Sequence, residues 1–350
     1  MQLSEFDFEL PEQLIALRPA EPRGASRLLV CEGGRIEHRQ FSDIASYLRP
    51  GDRLVLNETK VLPARLTGVR KRDTAQGPTE VKVELTLLSL DAEGNWLALG
   101  KPAKRIHVGE FIEFANGFHA ELLDKSPDGL CLRFNKQGGE FDKALAKYGV
   151  MPLPPYIASK RGSDEKDIED YQPVFARVMG AVASPTASLH FTDPLLQDLA
   201  GQGIDFSKVI LHVGAGTFLP VKSEAIGDHV MHAEWGQITQ STVDEIQETK
   251  ARGGRIVAVG TTALRLLEAA SSKGTLTAFE GETDIFIKPG FKFNTVDGLI
   301  TNFHLPKSTL LMLVSALIGV KKMHEIYAAA IKENYRFFSY GDSSLLFPKV

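Results

Sequence analysis

Val81-Lys82-Val83-Glu84-Leu85-Thr86-Leu87-Leu88 alternates apolar and polar side chains with a period of two. That period puts every second residue on one face, as in a strand with one side buried. The alternation recurs in residues 95–101 (NWLALGK), 110–118 (EFIEFANGF), 119–124 (HAELLD) and 130–134 (LCLRF). Glu93-Gly94-Asn95, Asn116-Gly117 and Pro127-Asp128-Gly129 punctuate these runs as turn signals. No helical period separates them, so residues 65–134 predict a small β-barrel or sandwich.

On both sides of this block the chain alternates helix and strand. A short helix starts at Ser42-Asp43 and ends at Gly51. Thr192-Asp193-Pro194 opens another, with proline in the first turn, and Gly201 stops it. A strand over 209–213 follows. Ser241 and Asp244 suggest a capping box for a helix that runs to Gly253-Gly254. A strand over 255–259 leads through Gly260-Thr261-Thr262 into a helix ending near Ala270. Another strand is expected over 283–287, and two or three helices between Pro306 and Asn334. The fold class is therefore mixed α/β, a main domain with an inserted all-β, barrel-like domain. The main domain takes residues 1–60 and 151–350, and the insertion takes residues 61–150. Met151-Pro152-Leu153-Pro154-Pro155-Tyr156 reads as a stiff return crossing, and the polar residues 161–167 as a mobile loop.

With 350 residues, 43% hydrophobic and 24% charged, the chain has the composition of a globular protein with two cores. Its acidic N-terminal stretch does not read as a signal peptide. The apolar run from Leu310 to Val320 is about half a membrane span. Cys31 and Cys131 have no partner motif, so the expected compartment is the reducing cytoplasm, with no membrane association. The net charge of −4 argues against a surface that grips nucleic acid everywhere. It leaves room for a local basic patch, and residues 60–72 (KVLPARLTGVRKR) hold five basic side chains and no acid.

The chemistry centres on His212-Val213-Gly214-Ala215-Gly216-Thr217-Phe218, a histidine and glycine turn after an apolar strand. Glycine lets a ligand approach bare backbone. A dinucleotide fingerprint would need its third glycine at Leu219, and Pro220 breaks the helix that should follow, so that reading fails. His190, His212 and His304 each stand between large apolar residues at an element end, which suits a shared polar pocket. His229-x-x-His232-x-Glu234 would split its two imidazoles across a strand, and no further ligand set completes it, so no metal is expected. Gly260-Thr261-Thr262 at a helix start is a place for a carboxylate or phosphate.

Taken together, several ordered blocks resemble the S-adenosylmethionine:tRNA ribosyltransferase-isomerases of queuosine biosynthesis. They include FDFELPEQLIALRPAEPRGASRLLV (6–30), GDRLVLNETKVLPARLTG (51–68), MPLPPYI (151–157) and SPTASLHFT (184–192). HVGAGTFLPV (212–221), MHAEW (231–235), RIVAVGTTALRLLEAA (255–270) and GETDIFIKPGFKF (281–293) continue the match. LITNFHLPKSTLLMLVSALIG (299–319) and YRFFSYGDSSLL (335–346) complete it, so it covers nearly the whole chain.

The resemblance implies transfer of the ribosyl part of S-adenosylmethionine to the aminomethyl group of 7-aminomethyl-7-deazaguanine at a tRNA wobble position. Adenine and methionine leave, and the ribosyl isomerises to give epoxyqueuosine. The donor is then a consumed co-substrate, and neither a metal nor a redox cofactor is needed. The partners implied are tRNA and S-adenosylmethionine, with a monomer as the expected state. On this chemistry His212 or His190 is expected as base or acid at the ribose, with His304 available beside them. Glu234 or Asp342 would orient an imidazole or accept the amine proton. Gly214, Gly216 and Thr217 would border the adenosyl group, while Thr261 and Thr262 would take the methionine carboxylate. Phe191, Phe218 and Phe303 are candidates to face the sulfonium. Arg65, Arg70, Lys71 and Arg72 would hold the anticodon stem, with the target base splayed out.

The chain departs from the family pattern at Ser184 and Ser188, where alanine and glycine are expected. It also has Pro173 and Phe175 where threonine and tyrosine are expected, so neither position supplies a catalytic hydroxyl. Two other readings remain: an RNA methyltransferase using the same donor, and a tRNA-binding protein without catalysis.

Overall fold

The computed structural model describes residues 1–74, 77–91, 93–127, 129–214 and 223–348, with the side chains of Asp73 and Thr74 excepted. It contains two compact units, one of Met1–Lys60, Gln172–Val178 and Ser184–Val350, the other of Val61–Tyr171 and Met179–Ala183.

The first unit is built on a nine-stranded mixed sheet. Its centre places Asp205–Leu211, Arg53–Asn57, Ile256–Val259 and Gly298–Asn302 side by side and parallel. Ser343–Leu346 pairs antiparallel to the last of these and parallel to Arg27–Glu32. Glu234–Ile238 and Phe279–Thr283 extend the other edge antiparallel.

Arg53–Asn57, Ile256–Val259 and Gly298–Asn302 are buried at every position. Val55, Ala258 and Leu299 feed one core, while Leu54, Leu56, Val257, Val259 and Ile300 feed a second. Parallel strands covered on both faces need this continuous apolarity. Val259 lies level with Leu56 and Ile300, and Val209 with Asn57. The carboxyl ends of the four parallel strands therefore share one edge, the usual ligand edge of an open α/β sheet.

The second unit is a closed six-stranded barrel of Arg65–Thr74, Gly77–Leu90, Trp96–Lys101, Phe111–Ala115, Phe118–Ser126 and Gly129–Phe134. Leu85, Leu87, Leu122 and Leu132 are fully buried, which the period-two pattern requires of inward-facing residues. This unit continues past residue 150, because Val150 pairs with Arg65 and the chain stays with it to Tyr171. Residues 161–167, read from their polarity as a mobile loop, carry hydrogen bonds within the segment. The fully buried Asp167 carboxylate accepts both Nη1 and Nη2 of Arg161, at 2.8 and 2.6 Å, and the Asp164 amide at 2.9 Å. Three charge-assisted bonds tie the segment down.

Thr192 caps Asp193–Gly201 as expected, through the Leu195 amide. Other boundaries moved. The helix from Gln240 to Ala251 is capped by Thr239, two residues ahead of the expected Ser241. The strand expected over 283–287 instead spans Phe279–Thr283. It pairs residue for residue with Glu234–Ile238, and that ladder outweighs the local apolar run. The expected helix at 42–51 is a 3₁₀ segment, Phe41–Tyr47. Among the described residues no helix is long and apolar enough to cross a membrane.

Candidate active site at the strand ends

His212 directly follows strand Asp205–Leu211, and two neighbours fix its ring. Asn57, the last residue of the adjacent strand, donates through Nδ2 to the Leu211 carbonyl at 2.9 Å. Its Oδ1 accepts the Leu211 amide at 3.0 Å. This clamp holds the end of the strand. The Thr59 hydroxyl is 2.9 Å from His212 Nδ1, and the imidazole stacks on Trp235 with centroids 5.2 Å apart. Nε2 has no hydrogen bond among the described residues. Burial lowers the pKa of this half-buried ring, since removing water penalises the charged form. A neutral imidazole with one nitrogen fixed and the other open can act as a base.

Glu234 is buried and does not stand open as a proton acceptor. Its Oε2 pairs with Arg265 Nη1, and its Oε1 accepts the Gly214 amide at 3.0 Å. The pairing follows from register. Leu211 lies opposite Gly236, so two residues further along the same ladder Glu234 reaches the glycine turn. Arg265 comes from the second turn of helix Gly260–Ala270, which packs over these strands.

His190, at the end of the 3₁₀ segment Thr186–His190, has both ring nitrogens engaged. Nδ1 lies 2.8 Å from Ser26 Oγ and Nε2 lies 3.3 Å from Asn302 Nδ2. Asn302 Oδ1 accepts from Thr186 and its Nδ2 also donates to the Phe338 carbonyl, so its amide has one orientation. Nε2 must then accept, leaving Nδ1–H to donate to Ser26. Burial, with the Arg336 and Arg23 charges, pushes the His190 pKa down to about 3. This geometry makes His190 a neutral structural link.

His304 Nε2 lies 2.9 Å from Thr301 Oγ1, and its amide donates to the Tyr327 hydroxyl at 3.0 Å. Burial pushes its pKa to about 3 as well. Asp342 is buried and accepts the amides of Arg27 and Arg336, at 2.9 and 2.8 Å, plus Arg336 Nη2 at 3.3 Å. Its oxygens hold the C-terminal loop together. Thr261 and Thr262 open helix Gly260–Ala270, whose cap position, Val259, supplies no side-chain acceptor. Gly260 has φ +89°, a value that favours glycine at this bend. Phe191 and Phe303 are fully buried, packed on Phe41 and Phe175 and on Tyr327, Tyr335 and Phe337. They serve the core. Gly216, Thr217 and Phe218 lie outside the described residues.

Of the four basic residues expected to hold tRNA, three are matched by acids at 2.8 Å or less. Arg65 meets Glu84 at 2.8 Å, Lys71 meets Glu113 at 2.8 Å, and Arg72 pairs with Glu110. Arg70 is 4% exposed and donates to the Arg105 carbonyl, so its charge lies inside the unit. The acids come from distant positions, Glu84 and Glu113 on neighbouring strands and Glu110 just before one, which is why residues 60–72 look purely basic in sequence. Among the described residues no three histidine, cysteine, aspartate or glutamate side chains are grouped to hold a metal ion.

Sequence reasoning missed Asn57, Thr59, Ser26, Asn302 and Arg265. Asn57 and Asn302 end apolar strands, where a lone polar residue is a readable signal. Arg265 interrupts the apolar helix residues 263–267 (ALRLL), which is a second one.

The fold and this edge define an α/β protein that gathers a histidine, Gly214 and a bare helix start at its strand ends and carries an inserted barrel. Comparison narrows the class further. Residues 3–346 match the family model described as queuosine biosynthesis protein. The S-adenosylmethionine:tRNA ribosyltransferase-isomerase of Ruegeria sp. (strain TM1040) is 58% identical over 349 residues, covering 99% of this chain and 100% of the relative. That of Erythrobacter litoralis (strain HTCC2594) is 51% identical over 352 residues, covering 100% of this chain and 99% of the relative. The crystal structure of the S-adenosylmethionine tRNA ribosyltransferase from Thermotoga maritima aligns with TM-score 0.55 at 38% identity. That alignment covers 98% of this chain and 99% of the other. The chain belongs to the queuosine biosynthesis protein family.

Proposed function

We propose that this chain is an S-adenosylmethionine:tRNA ribosyltransferase-isomerase. It moves the ribosyl part of the donor to 7-aminomethyl-7-deazaguanine at the tRNA wobble position, releases adenine and methionine, and yields epoxyqueuosine-tRNA. Full-length similarity to relatives of that activity supports the reading. The observation that carries its chemistry is His212, a neutral ring with Nδ1 at Thr59 and Nε2 open, beside the Gly214 turn.

The sulfonium acidifies the ribose C5′ protons. His212 Nε2 takes one of them, with Nδ1–H donating to Thr59, and the electron pair stays on C5′ as an ylide. The C5′ pair expels the ring oxygen from C4′, giving a C4′–C5′ double bond, and the oxygen freed on C1′ expels adenine, which takes a proton and leaves an aldehyde at C1′. The neutral amine of the tRNA base adds to C4′ and loses a proton, returning the electron pair to C5′. That carbon closes on C1′, and the new C1′ alkoxide displaces methionine from C5′ to form the epoxide. Glu234 holds the Gly214 turn for the adenosyl group, and Asp342 keeps the C-terminal loop in place. Thr261 and Thr262 offer the start of their helix to the methionine carboxylate. Of the barrel residues, Arg65, Lys71 and Arg72 remain as contacts for tRNA phosphates, whereas Arg70 is too buried to serve.

The test is product analysis with a tRNA bearing the aminomethyl base. Adenine and methionine in equal amounts, with a matching gain in tRNA mass, are expected. S-adenosylhomocysteine would instead establish a methyltransferase, and an intact donor a binding protein.

A further inference from the structure

We propose that Arg265 binds the carboxylate at the amino-acid end of the sulfonium donor, an inference that rests on the reading above. Arg265 is 6% exposed. Its Nη1 is committed to Glu234, but Nε and Nη2 are buried with no hydrogen-bond partner among the described residues. In a planar guanidinium these two donors point the same way and form the fork that fits both oxygens of a carboxylate. A buried charged donor left unpaired is costly, so such a fork points to a ligand.

A second group agrees. Thr262 Oγ1 is also buried and unpartnered. It lies three residues ahead of Arg265, on the same helix face, and helical side chains lean toward the N-terminus. The fork and the hydroxyl therefore lie along the first turns of a helix whose cap position provides no acceptor. The positive end of the helix dipole adds to both.

Charge selects the class of anion. Glu234 already neutralises Arg265, so the site suits a singly charged carboxylate better than a phosphate dianion. Because Glu234 also holds the Gly214 amide, the fork and the glycine turn are joined through one carboxylate. The donor's carboxylate and nucleoside ends would be placed relative to each other by that link.

The experiment compares S-adenosylmethionine with its decarboxylated analogue, in the wild type, Arg265→Lys and Thr262→Val. Arg265→Lys keeps a cation for Glu234 and removes the fork, and Thr262→Val leaves the ion pair untouched. The wild type should favour the carboxylated donor in kcat/KM by about 10- to 100-fold, the range for charge-assisted hydrogen bonds. Arg265→Lys should lose most of that preference, through KM with S-adenosylmethionine, while its rate with the analogue stays near wild type. Thr262→Val should lose a smaller part of the preference. Unchanged discrimination in Arg265→Lys, or an equal fall with both donors, overturns the proposal. Dissociation constants for the two donors, measured by calorimetry, read the fork without turnover. If the wild type bound both donors equally, the fork would be refuted whatever the product. A clear preference in binding without adenine release would instead refute the ribosyl-transfer reading and retain the fork.

Discussion

The strand-end edge of the first unit and the barrel of the second use polar residues in opposite ways. At the edge they are incompletely satisfied: among the described residues, buried side-chain atoms of Arg265 and Thr262 have no hydrogen-bond partner. On the barrel they are numerous, mostly exposed, and matched across strands, as in Arg133–Glu121 and Lys71–Glu113. Exposed pairs gain little because water screens them and both side chains lose freedom. Buried groups gain or lose much more. The density of charge in the sequence is therefore a poor guide to where chemistry is done. Arg70 is an exception on the barrel: its Nε and Nη1 are buried with no hydrogen-bond partner among the described residues, with Glu110 3.7 Å from Nε.

The sharpest way to break this contrast is His212→Ala. Loss of a positioned base should lower kcat/KM for adenine release by about 10²–10⁴-fold. Because burial lowers the His212 pKa, the wild type should lose activity only as pH falls below 6.5, when the ring protonates. That acid limb should vanish in the variant. Near-full turnover without His212 would remove it from the mechanism.

Glu234→Gln tests the buried pair against the barrel pairs. It strands the Arg265 charge and should cost about 3–5 kcal/mol in urea unfolding. Arg133→Gln, at an exposed pair, should cost no more than about 0.5 kcal/mol. Equal effects would dissolve the comparison.

Acid stability comes next. His190 and His304 are held near pKa 3 in the fold against 6.5 in the unfolded chain. The unfolded state then binds more protons, so stability is lost as pH falls from 6.5 toward 3. The slope should approach roughly 1.4 kcal/mol per pH unit for each ring. His190→Gln should flatten it, and an unchanged slope in that variant would show that another group titrates.

The smallest effect expected is on tRNA binding. Replacing Arg65, Lys71 and Arg72 with alanine should reduce the slope of log K against log salt by about 0.7–0.9 for each phosphate no longer neutralised. An unaltered slope would assign these residues to barrel pairing alone.

Much of the fold was legible because it is periodic. Period-two alternation from Val81 to Leu88 marks a barrel strand, and unbroken apolar runs such as residues 256–259 mark the buried parallel centre. The helix start at Thr261-Thr262 was readable because helix starts are written in neighbouring residues. The roles of the three histidines were not. His190 and His212 share the same flanking apolar pattern, yet among the described residues one has both nitrogens bound and the other has one without a partner.

The sequence by itself determined the two-part architecture, the family, and a short list of candidate histidines, carboxylates and threonines. Those depend on local pattern and on ordered blocks along the chain. Only the tertiary structure decided what each of them touches. Thr59 reaches His212 across 153 positions, Asn302 reaches His190 across 112, and Glu234 meets Arg265 across 31. Whether a buried group is held, neutralised or left open depends on such partners, because in a medium with little water each missing or added hydrogen bond fixes its charge and its reach.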